Sequence, residues 1–300
     1  MIKLSPDAYD TAAPLVQDSR AELSVAATLG GYNPGEVWVD DAASPHAAVI
    51  RTTETTAIAG DAAYTPAYDG IRALLGYWEN VFPDTSDWEK VIPRIHPNPY
   101  LTRYMRRQYK LYADMFRDWS KTVPDGYTLE RLEDAHFTLE NGDTVRKWAA
   151  MWGSTARFLK DGAGYVIRQD DTLCAWSLTD CRMDERAAIG IVVDSRHRRR
   201  GLAACVSSAT AAYWLAHGVT ELQWLCIAAN AGSQATAKKL GFTLACDYPS
   251  FTTYPPYEND SDQTPEQWKA WGERYRDAPA CYDGIRERCK RLAGQMREGV

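Results

Sequence analysis

The chain has 300 residues, 45% of them apolar, and a formal net charge of −6. That is room for two domains of ordinary size, and the net acidity argues against a chain built to coat nucleic acid or an anionic lipid surface. No apolar run approaches the roughly 20 residues that cross a bilayer, and no basic stretch followed by an apolar core opens the chain. Seven cysteines (Cys174, Cys181, Cys205, Cys226, Cys246, Cys281 and Cys289) are odd in number, lack metal spacing and sit mostly in apolar segments. They read as reduced thiols in a cytoplasmic protein. His46, His96, His136, His197 and His217 form no ligand set.

Taken in chain order, Leu4–Ala27 reads as helical, and Glu36–Asp40, His46–Arg51 and Thr56–Gly60 as a meander of short strands. A helix is expected over Tyr68–Val81. The Pro-bearing stretch Val91–Tyr100 leads into an aromatic and basic strand, Leu101–Tyr112, whose Arg103, Arg106 and Arg107 read as a solvated face. Val123-Pro124-Asp125-Gly126 is a turn cluster and the expected domain boundary. Beyond it the pattern predicts a strand (Tyr127–Leu132), two helices (Thr144–Met151, Ser154–Lys160) and three strands (Gly164–Arg168, Leu173–Thr179, Ala187–Val193). A helix over Leu202–His217 closed by Gly218, a strand over Glu221–Ile227, a helix from Asn230 stopped by Gly241 and a strand over Thr243–Tyr248 complete this half. After an aromatic and acidic stretch, Thr264-Pro265-Glu266-Gln267 opens a further helix with a capping box and proline at its first position. This tail is read either as a surface wrap that packs Trp268 and Trp271, or as a flap near a substrate site.

The richest stretch is Val192-Val193-Asp194-Ser195-Arg196-His197-Arg198-Arg199-Arg200-Gly201-Leu202-Ala203. A buried strand, a basic Gly-containing loop and a helix start together form an anion cradle of backbone N–H groups. Gly201 lets the backbone approach the anion and Ala203 keeps the first turn open, while the arginines add charge-assisted contacts. Neither G-x-x-x-x-G-K-[ST] nor a strand-to-helix G-x-G-x-x-G is present, which excludes the P-loop and the dinucleotide fingerprint.

Arg198-x-x-Gly201-x-Ala203, followed by a strand, Asn230-x-x-Ser233 and Leu240-Gly241-Phe242, resembles the acyl-CoA site of the GNAT superfamily of N-acyltransferases. Met151-Trp152-Gly153-Ser154 to Phe158-Leu159, Asn33-Pro34-Gly35-Glu36-Val37-Trp38-Val39-Asp40-Asp41 and Asp247-Tyr248-Pro249 with Tyr254-Pro255-Pro256-Tyr257-Glu258-Asn259 are similar to one branch of it. That branch carries an extra N-terminal domain and includes zwittermicin-resistance-type acetyltransferases. The resemblance implies an α/β (α+β) GNAT fold with a mixed central sheet flanked by helices. It implies an N-terminal GNAT-like structural domain (1–122), a catalytic acyl-CoA-binding domain (123–250) and a C-terminal extension (251–300). It further implies that the backbone of Ile191, Val192 and Val193 pairs with pantetheine and that Arg198, Arg199, Arg200, Gly201, Leu202 and Ala203 hold the pyrophosphate. Asn230 and Ser233 close the far side, where Asn230 also fits a helix N-cap. The N-terminal half has no Gly-rich anion loop, so one CoA per chain is expected.

Transfer of an acyl group to an amine needs a free amine, a polarised thioester carbonyl and an outlet for protons. A strand N–H of Val192 or Val193 suits the carbonyl. Many relatives place a glutamate early in the strand before the loop and a tyrosine four residues before the glycine of Leu-Gly-Phe; the matching positions here are Ala188 and Ala237. Substitutes are sought in Asp180, Asp184 and Glu185 before the strand, in Cys226 on its partner, and in Tyr248 and Tyr254 beyond; Cys226, Tyr248 and Glu185 lead that set. The expected activity is acetyl transfer from acetyl-CoA to a small-molecule amine, with no nucleic-acid or membrane partner and with homodimer formation left open. An acyl-CoA-binding pseudoenzyme is the alternative. Nucleic-acid binding through Arg196–Arg200 conflicts with the net acidity.

Overall fold

The computed structural model of the protein describes residues 1–16 and 23–294. Its strands are β1 (Ile2–Lys3), β2 (Glu36–Val39), β3 (Ala47–Arg51), β4 (Thr56–Gly60), β5 (Val81–Pro83), β6 (Thr102–Tyr112), β7 (Thr128–Arg131), β8 (Gly164–Gln169), β9 (Thr172–Met183), β10 (Arg186–Val193), β11 (Glu221–Ile227) and β12 (Thr243–Thr252). Its helices are α1 (Leu23–Leu29), α2 (Tyr68–Leu74), α3 (Ser86–Ile95), α4 (Gly142–Ala150), α5 (Thr155–Asp161), α6 (Leu202–Ala216), α7 (Ala231–Leu240), α8 (Pro265–Arg274) and α9 (Asp283–Gly294). All the strands join one mixed sheet in the order β1-β2-β3-β4-β5-β12-β6-β11-β10-β9-β8-β7.

The two halves follow the same succession. In the first, β2, β3 and β4 form an antiparallel meander, α2 crosses over to the parallel β5, and α3 leads to β6. In the second, β8, β9 and β10 form the meander, α6 crosses over to the parallel β11, and α7 leads to β12. The last strands are exchanged between halves. β6 lies antiparallel to β11, with Tyr112 opposite Glu221 and Arg106 opposite Ile227, while β12 bridges β6 and β5. A boundary at residue 123 therefore parts β6 from both its neighbours.

Burial follows the sheet faces. Leu202, Cys205 and Val206 of α6 pack on Ile167, Cys174 and Ala175, and in the other half Trp88, Ile92 and Ile95 of α3 pack on Val81 and Phe251. The Trp88 indole donates to the Gly60 carbonyl at 2.9 Å, which satisfies the one polar atom of a fully buried ring.

Most predicted strands of the second half appear within a few residues of their expected bounds; β9 and β12 run further, to Met183 and Thr252. The helix expected over Leu4–Ala27 does not form as one piece. Leu4 donates instead to the Val37 carbonyl (2.9 Å), two 3-10 turns carry Pro6 and Pro14, and α1 covers Leu23–Leu29; residues 17–22 lie outside the described residues. The helix expected over Tyr68–Val81 ends at Leu74, where Leu75 turns extended ahead of Gly76. Among the described residues no helix is long and apolar enough to cross a membrane.

A chain that begins at Val123 is expected to expose the edges of β11 and β12 and to lose its cooperative melt or associate. A chain that begins just before Thr102 is expected to keep β6 and melt at the higher temperature. Paired thermal denaturation and size-exclusion runs check this.

Candidate functional site

β10 and β11 run parallel and pair only at Arg186–Ala188 opposite Glu221–Gln223. Beyond that point β11 continues to pair with β6 and β10 with β9, so the two strands part. The Asp194 N–H donates to the Cys174 carbonyl of β9 (2.9 Å), and strand alternation then turns the N–H groups of Ile191 and Val193 toward the opening. On the other bank Ala228 donates to Met105 of β6 (2.9 Å), which turns the Leu225 and Ile227 N–H groups inward. Of Val192 and Val193, the two strand donors expected from the sequence, only Val193 turns its N–H into the opening, and Ile191 does so as well. The Val192 side chain, 38% exposed, stands on the cleft wall.

The loop after β10 is held from below. Asp194 accepts from the Arg196 N–H (2.9 Å) and from Asn141 Nδ2 (2.8 Å), and the Arg196 guanidinium is tied to Asp194 (2.9 Å) and Glu140 (2.8 Å). Arg196 beside it holds the Asp194 carboxyl well below the usual carboxylate range. Arg196 is therefore a strut, and the next arginines are the ones that reach the cleft: Arg198, anchored at 3.3 Å to the Val193 carbonyl, and Arg199 line it, while Arg200 does not. Arg199 takes φ of +60° and Gly201 φ of +82°, so the chain curls left-handed into α6 and forms a concave run of N–H groups. No side chain caps this helix start, no acidic residue stands in its first turn, and a Cβ on Gly201 would meet open space within 4 Å. The first N–H groups of a helix have no intrahelical partner, so the cradle is built for an anion.

Asn230 caps α7 by accepting from the Ser233 N–H (2.8 Å), and both residues line the cleft. Of the residues expected to hold the cofactor, Ile191, Val192, Val193, Arg198, Arg199, Gly201, Leu202, Ala203, Asn230 and Ser233 meet around one cavity of about 810 Å³.

The expected proton-handling residues are not brought there. Glu185 sits in the turn between β9 and β10, where its carbonyl accepts from Thr220 (2.8 Å) at the closed end of the strand pair. Cys226 points into the core with Trp224 and Leu240, and burial pushes its thiol up to about 12, so it stays protonated at neutral pH. Tyr248 is buried edge-on against Phe82, with Arg106 over its ring. Tyr254 accepts from Asn80 (2.7 Å), and Asp184 is bonded by the Tyr32 hydroxyl; neither lines the cleft.

Other residues do. Asp180, in β9 rather than in the turn, accepts from the Trp148 indole at 2.8 Å. Gly190 makes room for both: a Cβ there would lie 2.4 Å from Trp148 and 2.7 Å from Asp180 Oδ2. Thr53 and Glu54, from the β3–β4 turn, close the same end, with Thr53 Oγ1 donating to the Asp180 carbonyl (3.2 Å). Arg106 also lines the cleft, so the expected solvated face of β6 is not one: Arg107 is bonded to Asp247 (3.1 Å) and Gln234 (2.6 Å). The tail supplies Glu258 and Asp262. Glu258 Oε1 accepts from the Ile227 N–H (3.0 Å) and Oε2 from Asn230 Nδ2. The residue is reachable from the cleft, yet protein crowds its carboxyl and pushes the pKa up. Only the aromatic and acidic character of 251–262 hinted at this.

Asp194→Ala is expected to lower stability by about 1–3 kcal/mol, because it leaves Asn141 and the Arg196 N–H without their acceptor. Since the Asp194 pKa is depressed in the folded chain, the loss is full at neutral pH and closes only as pH falls below the ordinary aspartate value near ~3.9. Chemical denaturation at several pH values reads it.

The sequence pattern of a GNAT acetyltransferase family matches residues 13–251. No curated protein sequence matches the chain. Among solved structures, a GCN5-related N-acetyltransferase-like protein from Streptococcus suis superposes with a TM-score of 0.68 at 18% identity, over 82% of this chain and 98% of its own. A tandem GNAT protein from the clavulanic acid biosynthesis pathway gives 0.56 at 14% identity, over 85% and 98%. A GCN5-related N-acetyltransferase from Sphaerobacter thermophilus gives 0.53 at 11% identity, over 86% and 96%. At such identities the likeness speaks for the fold, and it spans both halves together. With the family pattern covering most of its length, the chain belongs to the GNAT acetyltransferase family.

Proposed function

We propose that this protein transfers an acetyl group from acetyl-CoA to a primary amine of a small molecule by direct attack. The observation that carries the reading is the continuity of the unpaired β10 edge with the uncapped, left-handed start of α6 flanked by Arg198 and Arg199. An arm with amide groups fits the edge, and a pyrophosphate fits the cradle. The acetyl group then lies toward the closed end of the strand pair, where the N–H of Ile191, the inward donor nearer that end, suits a developing oxyanion.

The same end, away from the basic loop, suits an ammonium-bearing acceptor. Asp180, Glu54 and the Trp148 face give a site that is acidic on two sides and aromatic on one. Thr53 and Glu54 come from the first half, so that half walls the acceptor end. It is proposed to hold no second cofactor: its β4–α2 connection reads Asp61-Ala62-Ala63-Tyr64, with a carboxylate where the second half has arginines. Aminated antibiotics and metabolites are the acceptor class we favour. The pseudoenzyme reading draws on the buried alanines 188 and 237, and turnover of acetyl-CoA with a panel of amines separates the two.

Calorimetry is expected to find one acetyl-CoA per chain, and saturating ligand is expected to raise the melting temperature. Gly201→Asp keeps the fold, since aspartate tolerates a left-handed conformation better than most residues, and is expected to abolish binding. Arg198→Ala is expected to weaken it by about 1–3 kcal/mol. No melt shift with near-millimolar acetyl-CoA would sink the reading.

A further inference from the structure

We infer that Glu258, delivered by the C-terminal extension, is the proton acceptor for the amine. The inference rests on the acetyl-transfer reading above. The carboxylates that line the cleft are Glu54, Asp180, Glu258 and Asp262. Asp262 is turned onto the backbone of its own loop, where it accepts from the Glu258 and Asn259 N–H groups (2.9 and 2.8 Å), and not onto either strand of the opening. Asp180 is turned onto the Trp148 indole and against the Gly190 backbone. Glu54 belongs to the far wall. Among the described residues of the cleft, Glu258 is the carboxylate bonded to a strand of the opening, at the inward N–H of Ile227 on the bank facing the inward N–H of Val193.

Its mounting is rigid. Asp262 fixes its backbone, and two residues on Asp260 is bonded by Arg288 and by the Trp268 indole, which donates to its carbonyl at 3.0 Å. Arg288 and Trp268 belong to α9 and α8, so the helical hairpin of the extension holds the loop. The hairpin in turn is pinned to the first half, where Tyr282 accepts from Asn98 Nδ2 (2.7 Å), and to the end of β12, where it donates to the Thr253 carbonyl (3.0 Å). The two hydrogen bonds orient the carboxylate and favour its anion, but the crowding of protein around it outweighs them and raises its proton affinity, which suits a base. The groups that face it are Arg106 of β6, which favours its anion, Asp262 of its own loop, which opposes it, the protonated Cys226 thiol of β11 and the neutral Asn230 of α7.

The step balances. Glu258 takes one proton from the ammonium. The freed nitrogen pair bonds to the thioester carbonyl carbon, and the C–S bond breaks with its electrons on sulfur. A second nitrogen proton passes to that sulfur, giving amide and thiol, and Glu258 returns its proton to water.

The test uses the full chain with Glu258→Gln and Glu258→Asp. Acetyl-CoA binding is read by calorimetry, and thiol release is followed across pH with acetyl-CoA alone and with an amine panel. The expected result is binding within about twofold of the unsubstituted protein, turnover lower by about 10²-fold or more in the glutamine variant, and loss of the acidic limb. In the unsubstituted protein that limb lies above the ordinary glutamate range. The aspartate variant keeps the limb at a shifted position. Unchanged turnover, reduced turnover with the limb intact, or a large change in acetyl-CoA affinity in either direction overturns the assignment. If the unsubstituted protein binds acetyl-CoA but releases no thiol under any condition, the base has no reaction and the assignment falls while the cofactor site stands. If it does not bind acetyl-CoA, the acetyl-transfer reading itself falls.

Discussion

A strand edge inside a folded protein must find hydrogen-bond partners, and here one edge is left open on purpose of position. β11 is satisfied on one side along its whole length by β6, yet on the other it meets β10 for only three residue pairs. The inward N–H groups of Ile191, Val193, Leu225 and Ile227 are therefore the constraint from which the site grows. Everything around the opening can be understood as a partner for one of them or as a support for such a partner. Glu258 already answers Ile227, and the β10 edge is left to the extended ligand proposed above.

The basic loop shows how charge is divided between structure and site. Four arginines stand within five residues, but they do not act as one patch. Arg196 spends its charge on Asp194 and Glu140 and thereby sets the floor of the loop. Arg198 and Arg199 reach the cleft, and Arg200 lies off it. The left-handed turn at Arg199 and Gly201 is what aims them, because it curls the backbone before the helix begins.

Local signals carried much of this. The strand, loop and helix at 187–216 and the Asn-x-x-Ser turn are short-range patterns, and each lies where periodicity and glycine placement put it. The capping box at Thr264 and Gln267 is likewise present in both directions. What stayed hidden was long-range. Nothing in the composition of β6 says that it lies between β11 and β12. Glu258 is 28 residues beyond Asn230, the side chain it meets, and its meaning depends on where a 3-10 turn and two later helices hold it. The tail aromatics also divide unexpectedly: Trp268 packs with Cys289 and Leu292 inside the extension, while Tyr275 and Tyr282 reach Tyr77 and Tyr100 of the first half. The failed helix over Leu4–Ala27 has a local cause, since Pro14, well inside the expected span, has no N–H to donate and clashes with the turn before it.

The strand exchange also has a consequence for how the chain is made. β6 ends at Tyr112, but its two neighbours begin at Glu221 and Thr243, more than 100 residues later. During synthesis from the N-terminus, the first half emerges with one strand it cannot place and with β5 lacking its outer neighbour. Such long sequence separations slow folding and leave strand edges open to other chains meanwhile. The sheet closes only when β12 has been made, and the loop bearing Glu258 is fastened later still, when α9 supplies Arg288. A nascent chain thus has the basic loop and the start of α6 before it has Glu258 in place, and the order of translation makes the finished cleft the last thing to appear.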